Sequence, residues 1–230
     1  MLQRKISCVI CAYNEAERIG DVLKVVVGHP SIAEVIVVDD GSGDGTSEVV
    51  RSYPSVTLIV QEKNLGKSRA LVRGVTAAGG ELILTLDADL QHLVPQNITA
   101  LVDPVLSGLA DISISLRKNS LPIYRAIGLD FVSGERVMPR TLIADHFEKI
   151  ASLPGFGVES YLNARIIEQG LRIAIVRLDN VINTRKSEKV GWWQGTRDEW
   201  KMVFDVLRVL SLFEVLRQNY MMLKLSRDRK

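Results

Sequence analysis

The sequence predicts an α/β fold: a single mostly parallel twisted sheet with helices on both faces. Two observations carry that expectation. Short apolar runs alternate, through about residue 116, with segments whose apolar residues recur at three- and four-residue spacing. The runs are almost continuously aliphatic and β-branched, as strands buried on both faces are. A third observation bears on function. The polar, acid- and glycine-rich loops all follow strand ends, the rim at which such sheets bind ligands.

Taken in order, Ile6–Cys11 is the first strand and Ala12-Tyr13-Asn14-Glu15 the loop after it. Ala16–Val27 places Ile19, Val22, Leu23 and Val26 on one helical face, and Gly28-His29-Pro30 ends that helix. Val35–Val38 is the second strand, closing on Asp39-Asp40-Gly41-Ser42; Asp44-Gly45-Thr46 then caps a helix to about Ser52. Val56–Val60 is the third strand. Asn64-Leu65-Gly66-Lys67 leads into a helix from Ser68 to Ala78, stopped by Gly79-Gly80. The fourth strand, Leu82–Leu86, runs into Asp87-Ala88-Asp89-Leu90-Gln91-His92. Pro95–Leu106 is a helix, Asp111–Leu116 the fifth strand, and Ser160–Gln169 a later helix.

Asp87 and Asp89 are the sharpest chemical signal. In extended chain two acids one residue apart lie on the same face, roughly 6–7 Å apart along the backbone. Two carboxylates where a buried strand reaches the surface fit a hard divalent ion, Mg²⁺ or Mn²⁺, which shares its other positions with phosphates. A solvated turn with helix-capping acids is the other reading of the pair alone. Convergence of four polar strand-end loops on one rim favours the cation. Two better-known phosphate motifs fail here. Gly41-x-Gly43-x-Gly45 follows the second strand, its acids precede the glycines, and its third glycine comes a residue early; Gly66-Lys67-Ser68 has Gln61 where a P-loop needs glycine. The glycines at 41–45 serve a turn that lets backbone approach a ligand.

Composition bounds the class. The 230 residues are 47% hydrophobic and 24% charged with a formal net charge of +2, an ordinary globular chain with nothing that argues for nucleic acid. Charge is uneven. Residues 185–230 hold 11 Lys/Arg against 6 Asp/Glu, net +5, leaving −3 elsewhere. That end favours phosphates or an anionic membrane surface, or is a solvated basic tail. Cys8 and Cys11 sit in a strand-like run and read as core packing, so a cytoplasmic, reducing location fits. No apolar window is long enough to span a membrane.

The four segments Cys11–Gly20, Val35–Thr46, Asn64–Gly74 and Leu86–His92, in this order and spacing, resemble the family 2 glycosyltransferases of GT-A fold. Within them the chain is most similar to the dolichyl- and polyprenyl-phosphate sugar synthases. The resemblance is strong over residues 5–117 and looser over 118–190. It implies a nucleotide-sugar-binding half (1–117), an acceptor-side half (118–195) and a C-terminal helix with a basic tail (196–230). It implies an inverting hexosyl transfer from a GDP- or UDP-sugar to polyprenyl or dolichyl phosphate, or to a glycan or other hydroxyl acceptor. Ala12, Tyr13, Glu15 and Asp40 would surround the base and ribose. Asp87, Asp89 and Gln91 would hold Mg²⁺ or Mn²⁺, with Asp89 indispensable to transfer and Ala88 at the donor between the two acids.

The same resemblance assigns Arg117 to the donor pyrophosphate, which suits a planar guanidinium. Arg136, in Ser133-Gly134-Glu135-Arg136, is a second anion contact. Lys67 and Arg69 either help hold the phosphates or face solvent. Glu159, in Pro154-Gly155-Phe156-Gly157-Val158-Glu159, matches the acid near the acceptor: a general base for an alcohol, a positioning residue for a phosphate that is already ionised. Arg185–Lys189 loosely resembles a basic segment near the phosphates or acceptor.

Residues Thr196 to about Leu225 read as a long helix. Trp200, Val203, Phe204, Leu207 and Leu210 form an apolar face continued by Phe213, Leu216 and Tyr220. It packs on its own domain or in a homodimer, or else lies in the interface of a membrane with Trp192, Trp193 and the basic end at the headgroups. In that second case the protein works at the cytoplasmic face of a membrane as a peripheral protein. Two other functions compete. A nucleotidyltransferase needs a basic, glycine-rich first loop, where this chain has the acidic Ala12–Glu17. A non-catalytic nucleotide-sugar-binding protein predicts loss of Asp87, Asp89, Gln91 or Glu159, and all are present.

Overall fold

The architecture comes from a computed structural model, which describes residues 4–154, 157–183 and 212–227. A seven-stranded sheet runs in the order β3-β2-β1-β4-β7-β6-β8. Its strands are β1 (Ile6–Ala12), β2 (Glu34–Asp39), β3 (Val56–Val60), β4 (Leu82–Asp87), β6 (Ile112–Arg117), β7 (Arg136–Pro139) and β8 (Ile173–Leu178). All neighbours are parallel except β7, which is antiparallel to both β4 and β6. A second, two-stranded ribbon pairs β5 (Leu90–Gln91) with β9 (Ile182–Asn183), so the expected single sheet has a small companion at its rim.

The helices fall close to the sequence periodicity. They are α1 (Ile19–Val26), α2 (Thr46–Arg51), α3 (Lys67–Ala77), α4 (Pro95–Leu106), α5 (Pro122–Ile127), α6 (Thr141–Ala144), α7 (Phe147–Ala151), α8 (Gly157–Gln169) and α9 (Leu212–Arg227). The expected start of the first helix at Ala16 is a turn instead, with the helix itself beginning at Ile19. Asp44 organises the start of α2 by accepting from Thr46 N at 3.0 Å, while Gly45 is the N-cap residue with φ of 90°.

Strand alternation divides the core between the two faces. Ile6, Cys8 and Ile10 of β1 pack with α1 and α4 on one side; Val9 packs with α3, α8 and Met222 of α9 on the other. Each buried aliphatic side chain contributes about 1.5–3 kcal/mol relative to exposure. The two thiols follow the same alternation. Cys8 belongs to one cluster and Cys11 packs against the other, so the C-x-x-C spacing spans the sheet and both cysteines are free. Helix α3 lies close on the sheet at Gly74, where a Cβ would sit 2.5 Å from Val9 Cγ1.

The last helix corrects one expectation. Its packed face is Met222, Leu223 and Leu225, with Gln218 donating to Ser160 O of α8, whereas Leu216 and Tyr220 stand exposed. The helix therefore packs on its own domain, one of the expected alternatives, with Leu216 and Tyr220 of the expected apolar face left outside the contact. Trp192, Trp193, the 196–211 part of that helix and the Arg185–Lys189 segment lie outside the described residues. Among the described residues no helix is long and apolar enough to cross a membrane.

Candidate active site

Four loops and two later segments meet beyond the carboxyl ends of β1, β2, β4 and β6. The first two loops are laced together. Asn14 N donates to Ser42 Oγ at 2.9 Å, Gly43 N to Asn14 Oδ1 at 3.0 Å, Glu15 N to Thr46 Oγ1 at 2.9 Å and Ala16 N to Asp44 Oδ2 at 3.0 Å. Asn14 adopts a φ of 55°, a conformation that Asn tolerates better than most residues. Ala12 is buried at the strand end, Tyr13 is 47% exposed, and the Glu15 carboxylate pairs with Arg18 at 3.2 Å.

Asp40 is turned inward. Its Oδ1 accepts from Gln61 Nε2 and from Leu65 N at 2.7 Å, and its Oδ2 from Gly66 N at 2.8 Å. The acid thus ties down the loop that leads into α3. An ionised carboxylate has about four acceptor positions, so one remains on Oδ2 beside these three. Asp39 is equally occupied, by Ser42 N at 2.9 Å and by Ser47 Oγ.

The centre of the site is a row of alternating charges. Glu159 Oε1 accepts from Lys67 Nζ at 3.1 Å, and the same Nζ reaches Asp87 Oδ1 at 3.0 Å. Asp87 Oδ2 lies 3.4 Å from Arg117 Nη1, which is 2.6 Å from Glu135 Oε1. Asp130 Oδ2 stands 3.9 Å from Arg117 Nη2. These residues come from the first turn of α8, the start of α3, the end of β4, the end of β6 and the segment entering β7. The antiparallel course of β7 delivers its beginning to the rim where the parallel strands end.

Electrostatics follow from this packing. Burial pushes the Asp87 carboxyl up, but Lys67 and Arg117 outweigh it and hold the group well below the usual carboxylate range. Burial opposes the charges of Lys67 and Arg117 too. Asp87 and Glu159 more than compensate for Lys67, and Glu135, Asp87 and Asp130 do so for Arg117, raising both. The Glu135 carboxyl is raised, chiefly by burial, with Arg117 pulling the other way.

Arg136 corrects the sequence expectation. It is 2% exposed, and its guanidinium donates to Ser133 O at 2.8 Å, Phe131 O at 2.7 Å and Asn163 Oδ1 at 2.7 Å. It braces the turn before β7 against α8 and presents nothing to a donor phosphate. Arg117 is at the rim as expected, but is only 9% exposed and is held by acids of its own chain. Sequence reasoning missed Glu135 and Asp130. The available signal was an acid placed among Leu129, Phe131 and Val132, and another between Gly134 and Arg136.

The donor set suits a hard cation only in part. Among the described residues no group of three or more His, Cys, Asp or Glu is arranged to hold a metal ion. A set of Asp87, Asp89 and the Gln91 amide would supply three residues' oxygens at most, and ligand phosphates would have to complete it, as is usual for Mg²⁺. Asp87 already has a cation on each oxygen. Two features fit an incoming anionic ligand. Arg117 Nε is buried with no hydrogen-bond partner among the described residues. Gly134 keeps the backbone close, since a Cβ there would lie 2.7 Å from Asp87 Oδ1 and 3.0 Å from Lys67 Nζ.

An α/β sheet with acids and bases gathered at this rim is the arrangement of a GT-A-type transferase. The chain belongs to glycosyl transferase family 2, whose family model matches residues 7–129. Among curated relatives, the dolichyl-phosphate beta-glucosyltransferase of Trichomonas vaginalis is 33% identical over 147 residues, 54% of this chain and 44% of the relative. The dolichol-phosphate mannosyltransferase of Pyrococcus furiosus is 35% identical over 135 residues, 54% of this chain and 38% of the relative. The chain spans less than half the length of these relatives. Among solved structures, glucosyl-3-phosphoglycerate synthase from Mycobacterium tuberculosis, in complex with Mn²⁺, UDP and glucosyl-3-phosphoglycerate, superposes with a TM-score of 0.69 at 26% identity. That match covers 90% of this chain and 80% of the other.

Proposed function

We propose that this chain transfers a hexosyl group from a nucleotide-sugar donor to a phosphate-bearing acceptor, polyprenyl or dolichyl phosphate being the leading case. The observation that carries the reading is Asp87 held between Lys67 and Arg117 at the rim where the family's donor loops converge. Family membership and the curated lipid-phosphate transferases support it.

In this reading Tyr13, Glu15 and the strand end at Ala12 serve the nucleoside, and Asp40 shapes that site through the loop it ties down. Arg117, through its unpartnered Nε, and Lys67 take the diphosphate and offset the charge that develops as it leaves. Asp89 and Gln91, with Asp87, would hold Mg²⁺ or Mn²⁺; Ala88 between them, expected at the donor, is packed instead into the core with Leu86 and Leu90. A bound divalent ion supplies Lewis-acid stabilisation of the leaving diphosphate. Solved neighbours contain Mn²⁺ or Mg²⁺. The acceptor oxygen attacks the anomeric carbon from the opposite face and inverts it.

Glu159 is 4% exposed and paired to Lys67, which favours a positioning role over proton abstraction. A phosphate acceptor needs no base, because its second pKa is about 6. A second reading follows from the solved neighbours, one of which holds glucosyl-3-phosphoglycerate with UDP and Mn²⁺. There the acceptor is a small phosphorylated compound with a free hydroxyl, and Glu159 would help orient that hydroxyl.

Two measurements test these readings. A thermal-shift panel of GDP-, UDP- and dTDP-sugars with Mn²⁺ should single out one donor by ligand stabilisation. Radiolabelled donor is then offered with polyprenyl phosphate or with 3-phosphoglycerate. Label in the lipid fraction supports the first reading, and label in the aqueous product the second. No stabilisation by any donor and no transfer would end both. D89N should abolish transfer and keep the fold.

A further inference from the structure

Glu135 is the most deeply buried acid of the site and no role described so far needs it. It is 0% exposed, and both its oxygens are fixed. Oε2 accepts from Ser115 Oγ at 2.6 Å and from Ser133 Oγ at 2.8 Å, so β6 and the turn before β7 hold it from two sides. Oε1 takes Arg117 Nη1 at 2.6 Å. That same nitrogen is 3.4 Å from Asp87 Oδ2. One nitrogen, with its two N–H groups, therefore serves both acids, and it sits closer to Glu135.

We propose that Glu135 is a positioning residue that holds Arg117 back from Asp87, leaving Asp87 Oδ2 available to a cation-bound diphosphate. Burying an ion costs several kcal/mol unless it is well paired, so an acid kept wholly out of water at a site that apolar residues could fill needs a reason. The reason lies in what Arg117 does without it. Its nearest remaining acids would be Asp87 at 3.4 Å and Asp130 at 3.9 Å. A shift of well under an ångström would shorten its 3.4 Å hydrogen bond to Asp87 to the usual length of about 2.9 Å. Charge points the same way. Glu159, Asp87, Glu135 and Asp130 oppose Lys67 and Arg117, four acids against two bases, so the row carries −2; without Glu135 it carries −1 and attracts a cation less. The inference rests on the donor-site reading above.

The test uses the whole chain, with Mn²⁺ alone and Mn²⁺ with UDP as probes, free Mn²⁺ being read by EPR and folding by circular dichroism. E135Q keeps shape and hydrogen bonding but removes the charge; it should bind Mn²⁺ about tenfold more weakly at an unchanged spectrum. E135D restores the charge and should stay within about threefold of wild type. Wild-type affinity in E135Q, or an equal loss in E135Q and E135D, overturns the inference and leaves the donor site standing. If E135Q does not fold, S133A decides, since it removes one of the two hydroxyls that fix Glu135 Oε2. An about threefold loss of Mn²⁺ affinity supports the role, and wild-type affinity refutes it. Wild-type protein that binds no Mn²⁺ even with UDP refutes the donor-site reading and this inference with it.

Discussion

Substituting Arg136 by methionine separates a structural arginine from a ligand-binding one. Met has a similar reach but donates no hydrogen bond. In the native structure the guanidinium serves Ser133 O, Phe131 O and Asn163 Oδ1 in a site 2% exposed. Phe131 O keeps a second donor, Asn163 Nδ2 at 2.8 Å, so R136M strands two acceptors. Each buried, unsatisfied acceptor costs about 1–3 kcal/mol, and removing a buried charge returns part of that, giving a net loss of about 3 kcal/mol. With a urea m-value of about 2.5 kcal/mol/M, the unfolding midpoint should fall by about 1.2 M. The assay is equilibrium urea unfolding followed by circular dichroism, with donor binding measured on the folded fraction. A variant that unfolds at the wild-type midpoint yet loses nucleotide-sugar binding would refute the reasoning and return Arg136 to the donor site.

Gly134 gives a second prediction: in G134A the new methyl would meet Asp87 Oδ1 at 2.7 Å and displace Lys67, so donor binding should weaken by about tenfold or more in a folded protein. Calorimetry with the donor checks this. The depressed Asp87 carboxyl contributes stability that is complete above about pH 5 and falls away as pH drops below about 4. The stability difference between wild type and D87N should therefore narrow from neutral pH toward pH 3, and a difference that widens on acidification would reverse the assigned sign. Burial pushes the Cys11 thiol up to about 12 and the Cys8 thiol higher still. Iodoacetamide at about pH 8 should label neither in the native protein and both in guanidinium, as mass spectrometry would show.

The parallel half of the sheet was legible because β1, β2 and β4 are continuous apolar runs that need no partner to be recognised. Helix α4 was equally clear, since Pro95 opens it and its apolar spacing runs to Leu106. β7 was not legible. It has four residues, begins with a buried Arg and ends on a Pro, and its strand character comes from lying between β4 and β6. β5 and β9 have two residues each and exist only as a pair. At the site, the acids and bases were visible as residue types, but their partners were not. Whether Arg117 faces a phosphate or a carboxylate depends on Glu135, eighteen positions away in sequence and adjacent only once β7 is in place. Arg136 is the same case reversed, drawn inward by acceptors that local spacing does not reveal.

β7 has a further consequence, for the order in which the molecule is made. Strands β1 to β4 are contiguous in synthesis and pair among themselves as β3-β2-β1-β4. The outer edge of β4 then waits for Arg136–Pro139, because β6, although made earlier, does not touch β4 directly. An unpaired central-strand edge is a template for pairing with other chains. A nascent chain is therefore at its greatest risk of aggregation between the emergence of β4 and that of β7. Four residues close that window, so slowing their arrival should raise the yield of aggregate.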